Sequence, residues 1–195
     1  MIYIFTGNGK GKTSAALGIL LRGLAIGWHV GWVSWYKNQE WRIAEHRLSE
    51  ILTEEAQSRL HFYAMGKGFY ISEPDSENGK EKGVKIRPVH QQAVIDAHTS
   101  QEHESGAQKA LEMARTLLPT VDLLVLDEVC NAVSDGLVQE DAVLEVIKNR
   151  AKTHIVLTGR NCPPGLLNMS DLVSEIDKKK HPYDAGVMAV PGLDF

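Results

Sequence analysis

The stretch Ile2-Tyr3-Ile4-Phe5-Thr6-Gly7-Asn8-Gly9-Lys10-Gly11-Lys12-Thr13-Ser14-Ala15-Ala16-Leu17 decides the fold. Its first five residues are a short apolar run of buried-strand type, and the periodicity over residues 13–26 predicts a helix with Gly27 as its C-cap. A loop that joins a buried strand to a helix start points several backbone N–H groups at one spot, where the helix dipole also favours negative charge. Gly7, Gly9 and Gly11 supply the positive φ angles and close backbone approach that such a loop needs. Lys12 reaches terminal phosphate oxygens, and the Thr13 hydroxyl is placed to ligate a Mg2+ that bridges them. Residues 7–14, with Asn8, Lys10 and Ser14 among them, are therefore candidate polyphosphate contacts. The pattern G-x-x-x-x-G-K-[ST] is missed at one position, where Thr6 stands and the glycine follows one residue later. The bland alternative is a Gly/Lys-rich surface turn, which the strand before and the helix after argue against.

Working outward, residues 30–35 predict a second strand. Strand, helix and strand in such close succession make a βαβ unit, which implies a parallel sheet. The most apolar strand, residues 121–126, ends in Asp127-Glu128. Carboxylates there face the same crevice as the glycine loop, because open parallel sheets bind ligands outside the carboxyl ends of their strands. Asp127 or Glu128 is thus the second candidate metal ligand beside Thr13, directly or through water. A plain helix cap is the alternative, Asp being a common N-cap.

The remaining pattern predicts a charged surface helix over residues 40–59, a strand over 60–65, helices over 107–118 and 137–150, and a strand over 154–157 ending in Thr158-Gly159-Arg160-Asn161. The apolar run 186–190 is a candidate for closing the sheet. Residues 72–104 form a polar loop or insertion, and its His90, His98 and His103 are not spaced as a compact helical metal pair. The sum is one α/β domain over residues 1–195, built on a doubly wound, mainly parallel sheet of five or six strands.

At 195 residues and 43% hydrophobic composition, the chain can bury a substantial core. A net charge of −4 argues against a general nucleic-acid or anionic-membrane binder. Two cysteines, Cys130 and Cys162, cannot build a disulfide framework and fit a reducing compartment. The sequence shows no signal core and no apolar span of transmembrane length, so a cytoplasmic protein is expected.

Five blocks carry a specific resemblance: Thr6–Thr13 (TGNGKGKT), Leu126-Asp127-Glu128 with Asn131, Val156 to Asn161, Asp171 to Glu175, and Lys180-His181-Pro182-Tyr183-Asp184-Ala185-Gly186-Val187. In this order the chain resembles the ATP:corrinoid adenosyltransferases of the bacterial CobA/CobO/BtuR type over nearly its whole length. The resemblance implies a P-loop NTPase-like fold, a homodimer, and transfer of the 5′-deoxyadenosyl group of ATP to the Co(I) centre of a reduced corrinoid with release of triphosphate. It also implies Mg2+ or Mn2+ as cofactor and an electron donor for cobalt reduction.

For that transfer Lys12 is suited to stabilising the leaving triphosphate, and Arg160, at the end of another strand, is a candidate contact for phosphate or ribose, with an exposed loop arginine as the alternative. Family members carry an aromatic pair in a Gly-Phe-x-Trp stretch that displaces the lower axial ligand of cobalt. Here the matching residues are Gly68-Phe69-Tyr70-Ile71, so Phe69 is retained and Ile71 replaces the Trp. Phe69, Tyr70 and Trp35 are the candidate corrinoid contacts, with loop or core packing as their alternative. Two departures are an N-terminal arm that the family often has before the glycine strand, and a longer segment 72–104, which would act as a lid, a dimer contact or an altered corrinoid contact. A P-loop NTPase or kinase, and a nucleotide-dependent corrinoid carrier without turnover, are the competing functions.

Overall fold

Strand β6 (Leu123–Asp127) is buried from end to end, and its side chains alternate between two separate cores. Leu124 and Leu126 belong to one, Leu123 and Val125 to the other. A strand apolar on both faces must have helices on both, which is why its run is continuous and not alternating. The computed structural model describes residues 1–41, 43–68, 70, 85–89, 92–96, 98–187 and 189–193.

In chain order the elements are β1 (Ile2–Thr6), α1 (Lys12–Ala25), β2 (Val30–Ser34), α2 (Leu48–Ile51), α3 (Glu54–Gln57), β3 (Leu60–Ala64), β4 (Lys85–Val89), β5 (Gln92–Asp96), α4 (Ser100–Leu117), β6, α5 (Val129–Ser134), α6 (Glu140–Lys148), β7 (His154–Thr158), α7 (Pro164–Met169) and β8 (Leu172–Glu175), with 3-10 turns at Ala44–Arg47, Leu118–Thr120 and Pro182–Ala185. Among the described residues the main sheet has six parallel strands in the order β3-β2-β6-β7-β1-β8. This is the doubly wound α/β sheet that the sequence predicts. β1 and β2, adjacent in sequence, are separated by β6 and β7, so the crossing helix α1 spans those two strands.

Helix α1 buries Ala16, Leu20, Gly23 and Leu24 on one stripe against Val30, Trp32 and Leu123. On the other face α4 buries His103, Gly106, Ala107, Ala110, Leu111, Ala114 and Leu117, and these mostly small residues bring it close to β2. Gly31 of β2 completes that fit: a Cβ there would stand 3.0 Å from Leu124 and 3.2 Å from Leu117.

Three expectations are corrected. Residues 40–59 are not one helix but a 3-10 turn and two short helices, because Leu52 and Thr53 are extended and the Thr53 side chain accepts from the Ala56 N–H, starting a new helix. Ile51 is 79% exposed, so a continuous helix has little apolar reward there. The polar segment 72–104 is not loop throughout: β4 and β5 pair antiparallel, and α4 starts at Ser100, where Thr99 and Glu102 form a reciprocal capping box. Most of the stretch between β3 and β4 lies outside the described residues. Finally, the sheet edge is β8 and not residues 186–190, of which Val187 and Val190 are exposed.

Candidate functional site

Asp127 closes β6 and is wholly buried, and the site is built around it. Its Oδ1 accepts from the Thr13 hydroxyl at 3.0 Å and from the Thr158 hydroxyl at 2.8 Å. Its Oδ2 accepts from the Lys37 ammonium at 2.8 Å and, more weakly, from the Ser34 hydroxyl at 3.4 Å. Four partners thus come from the ends of β2 and β7 and the start of α1, the strand ends that a parallel sheet gathers on one side. A buried carboxylate requires such satisfaction. Lys37 also holds Glu45 at 3.2 Å. Burial works against its charge, but Asp127, Glu128 and Glu45 outweigh it and raise its pKa above the ordinary lysine value.

The glycine loop rests on the backbone that follows β8. Gly9 donates to the Ile176 carbonyl at 2.6 Å, and Ile176 donates to the Thr6 carbonyl at 2.8 Å. A Cβ on Gly7 or on Gly9 would stand 2.6 Å from that Ile176 oxygen, so both positions exclude side chains by space. Gly11 meets nothing; its requirement is conformational, since it caps α1 at φ +110°. Thr6 stays in the β1 ladder opposite Glu175, and the positive φ falls on Gly7. The glycine displaced by one residue therefore marks where the strand ends.

Lys12 opens α1 and donates from Nζ to the Gly9 carbonyl at 2.6 Å, so its ammonium lies over the loop. Burial, then Arg160, lowers its pKa, while Glu128 and Asp127 oppose that. Glu128 caps α5 in the left-handed region, φ 65°, and its N–H donates to the Thr158 hydroxyl at 2.9 Å. Burial, reinforced by neighbouring Asp127, pushes its carboxyl up to about 7 against the pull of Lys37, Lys12 and Arg160. Arg160 is exposed, and its N–H donates to the Asn131 side chain at 2.7 Å.

Above these groups lies a crevice of about 980 Å3. Asn8, Gly9, Lys10, Gly11, Lys12, Thr13, Ser14, Glu128 and Arg160 line it together, as do Lys37, Thr158 and His181. Apolar side chains line it too, among them Leu17, Trp41, Ile43, Leu48 and Ile51, with Glu40 and Glu45 between them. Gly7 and Asp127 are not among the lining residues. Two of the candidate corrinoid residues, Trp35 and Tyr70, are not among those lining the crevice. Trp35 is 3% exposed and packs in the core on the α4 side of the sheet. Tyr70 packs against the same core, edge-on to His103 at 5.0 Å between ring centres. Phe69 lies outside the described residues.

The whole chain, residues 1–195, matches the family described as "ATP:corrinoid adenosyltransferase BtuR/CobO/CobP". The chain belongs to this family. It is 31% identical over 196 residues to the corrinoid adenosyltransferase of Pseudomonas aeruginosa, covering all of this chain and 83% of that one. The corrinoid adenosyltransferase of Escherichia coli K12 is 30% identical, with 85% of its length covered. In fold, the flagellar accessory protein FlaH from Methanocaldococcus jannaschii is similar at a TM-score of 0.51 and 12% identity, over 89% of this chain and 69% of that one. That likeness concerns the fold alone.

For a corrinoid adenosyltransferase that handles ATP, the oxygen donors suit a hard divalent cation. Among the described residues no group of three or more His, Cys, Asp and Glu side chains is set to hold a metal ion. One hydroxyl and one or two carboxylates, completed by phosphate and water, is the donor set that Mg2+ takes. Lys37 and Trp41 line the crevice, as their place after the second strand suggests, but Ser34, Lys37 and Glu45 are not legible in the sequence as partners in the Asp127 network. Ser34 and Lys37 follow from their place at the C-terminal end of β2, whereas Glu45 carries no signal in its neighbours.

Proposed function

We propose that this chain transfers the 5′-deoxyadenosyl group of ATP to the Co(I) centre of a corrinoid and releases triphosphate. Its membership of the adenosyltransferase family over all 195 residues carries this reading. The Co(I) electron pair forms the new bond to C5′, the C5′–O bond breaks, and its electrons leave on the triphosphate. No side chain has to give up a proton, so the chain's work is placement and stabilisation of leaving-group charge. Lys12 and the N–H groups of residues 10–14 would face the triphosphate, the Gly9 N–H being spent on the Ile176 carbonyl. Thr13, with Asp127 or Glu128, would hold Mg2+ or Mn2+, which supplies further positive charge when bound. Arg160 lines the same crevice and is suited to a phosphate or the ribose.

The corrinoid is the second substrate. We assign Phe69 to displacing the lower axial ligand and keep Tyr70 and Trp35, which pack on the core, as further corrinoid contacts. We further propose that the protein works as a cytoplasmic homodimer, receives electrons for cobalt from a separate donor, and uses neither nucleic acid nor membrane. Among the described residues no helix is long and apolar enough to cross a membrane.

Anaerobic incubation with ATP, Mg2+ and chemically reduced cobalamin or cobinamide tests the activity. The visible spectrum of the adenosylated product and one triphosphate per turnover are expected. ADP and phosphate without adenosylated corrinoid would make it an ordinary P-loop hydrolase instead. Phe69→Ala should spare transfer from Co(I) and impair reactions that start from Co(II); equal loss in both would remove the axial-ligand role.

A further inference from the structure

Lys37 places a positive charge on the carboxylate that the proposed function assigns to metal binding. The four acceptor positions of Asp127 are all in use, two on Oδ1 by Thr13 and Thr158 and two on Oδ2 by Lys37 and Ser34. The Lys37 side chain is only 13% exposed and its second partner, Glu45, only 11%. The ammonium nevertheless borders the crevice, together with Lys12 and Thr13. Its backbone is tied down independently: the Lys37 carbonyl accepts from Gly66 at 2.9 Å and the Tyr36 carbonyl from Gly68 at 2.9 Å. A Cβ on Gly66 would fall 2.2 Å from the Tyr36 carbonyl carbon, so these two segments are in closest contact. The side chain can therefore change partner while the chain that carries it stays in place.

A bare divalent cation approaching Asp127 meets an ammonium already paired with it. To bind directly it must displace that charge or share the carboxylate with it, and either is costly where water is scarce. A triphosphate changes the balance. It brings several negative charges to the same crevice, offers Lys37 new acceptors, and supplies the cation with phosphate oxygens that the protein lacks.

We propose that Lys37 is a positioning residue that holds Asp127 closed to a free divalent cation, so that the cation loads only together with the nucleotide. This rests on the reading that the cation binds beside Thr13 and Asp127. Coupling of this kind is reciprocal, so Lys37 also makes nucleotide affinity depend on the cation.

The test uses the full chain without corrinoid, so that ATP is not consumed, and follows Mn2+ by the loss of its free-ion electron paramagnetic resonance signal. Wild type should bind Mn2+ poorly alone and well with ATP. Lys37→Met, which removes the charge and keeps the length, should bind Mn2+ alone at least about tenfold more tightly, a small part of what one close charge pair can be worth. Lys37→Arg should stay like wild type. Equal Mn2+ binding by wild type and Lys37→Met, with Mn2+·ATP binding still lost in Asp127→Asn, overturns the proposal alone. If Asp127→Asn leaves Mn2+·ATP binding unchanged, the metal-site reading itself fails and the proposal falls with it. Should Lys37→Met not fold, wild type decides: Mn2+ loading without ATP as tight as with it overturns the proposal, and nucleotide dependence that persists in Lys37→Arg supports it.

Discussion

Replacing Glu128 by Gln should make the metal-free protein more stable at alkaline pH while changing little in mild acid. Glu128 caps α5 next to Asp127, and its carboxyl is raised from an ordinary 4.5 to about 7. The folded state therefore keeps this proton after the unfolded chain has lost it. The associated stability is fully present below pH 4.5, declines as pH rises, and is gone above the folded value of about 7. The full loss corresponds to about 3 kcal/mol. Gln keeps the shape and carries no charge to desolvate. Urea unfolding in EDTA at pH 5 and pH 8 measures the effect as a double difference between wild type and Glu128→Gln, expected at about 2 kcal/mol. A difference that does not change with pH would refute the reasoning. The same shift predicts that Mg2+·ATP, by favouring the ionised carboxylate, displaces up to about half a proton per site at pH 7. Calorimetry in buffers of different ionisation enthalpy reads that proton, and Glu128→Gln should not release it.

Lys12→Ala should lower turnover by about 100-fold or more, because it removes a cation aimed at the leaving group, with little change in unfolding free energy. Gly9→Ala puts a methyl 2.6 Å from the Ile176 carbonyl oxygen and should cost about 1–3 kcal/mol by urea unfolding as well as weakening ATP binding. Gly11→Ala meets no neighbour, so only the strain of φ +110° remains, about 1–2 kcal/mol; a larger loss than in Gly9→Ala would contradict this division. The sulfurs of Cys130 and Cys162 are 3.1 Å apart as free thiols. Diamide should therefore oxidise them to an intramolecular disulfide that lowers the mass by about 2 Da, and Cys162→Ser should abolish that product.

Which features were legible follows from how local their causes are. The glycine loop, α1, the apolar strands and the carboxylates after β6 each announce themselves within a few neighbours. The physics is local there: strand burial, helix start and anion binding involve adjacent residues. The capping box at Thr99 and Glu102 was equally local, and it places the start of α4 at Ser100. The break in residues 40–59 was harder to see, because helical charge spacing masked an extended Leu52-Thr53 pair with little apolar burial to hold a longer helix.

By itself, the sequence determined the class of fold, the glycine-rich loop between β1 and α1 and the family to which the chain belongs, since each is written in contiguous motifs. Only the tertiary structure decided the order of the strands, the packing of Gly7 and Gly9 on Ile176, and the placement of Trp35 in the core while Trp41 lines the crevice. It also decided that Lys37, 90 residues from Asp127 in the chain, is the ammonium on that carboxylate. The reason is that a parallel sheet brings together the ends of strands distant in sequence. Which side chain meets which there depends on strand order and register, and no local pattern encodes that.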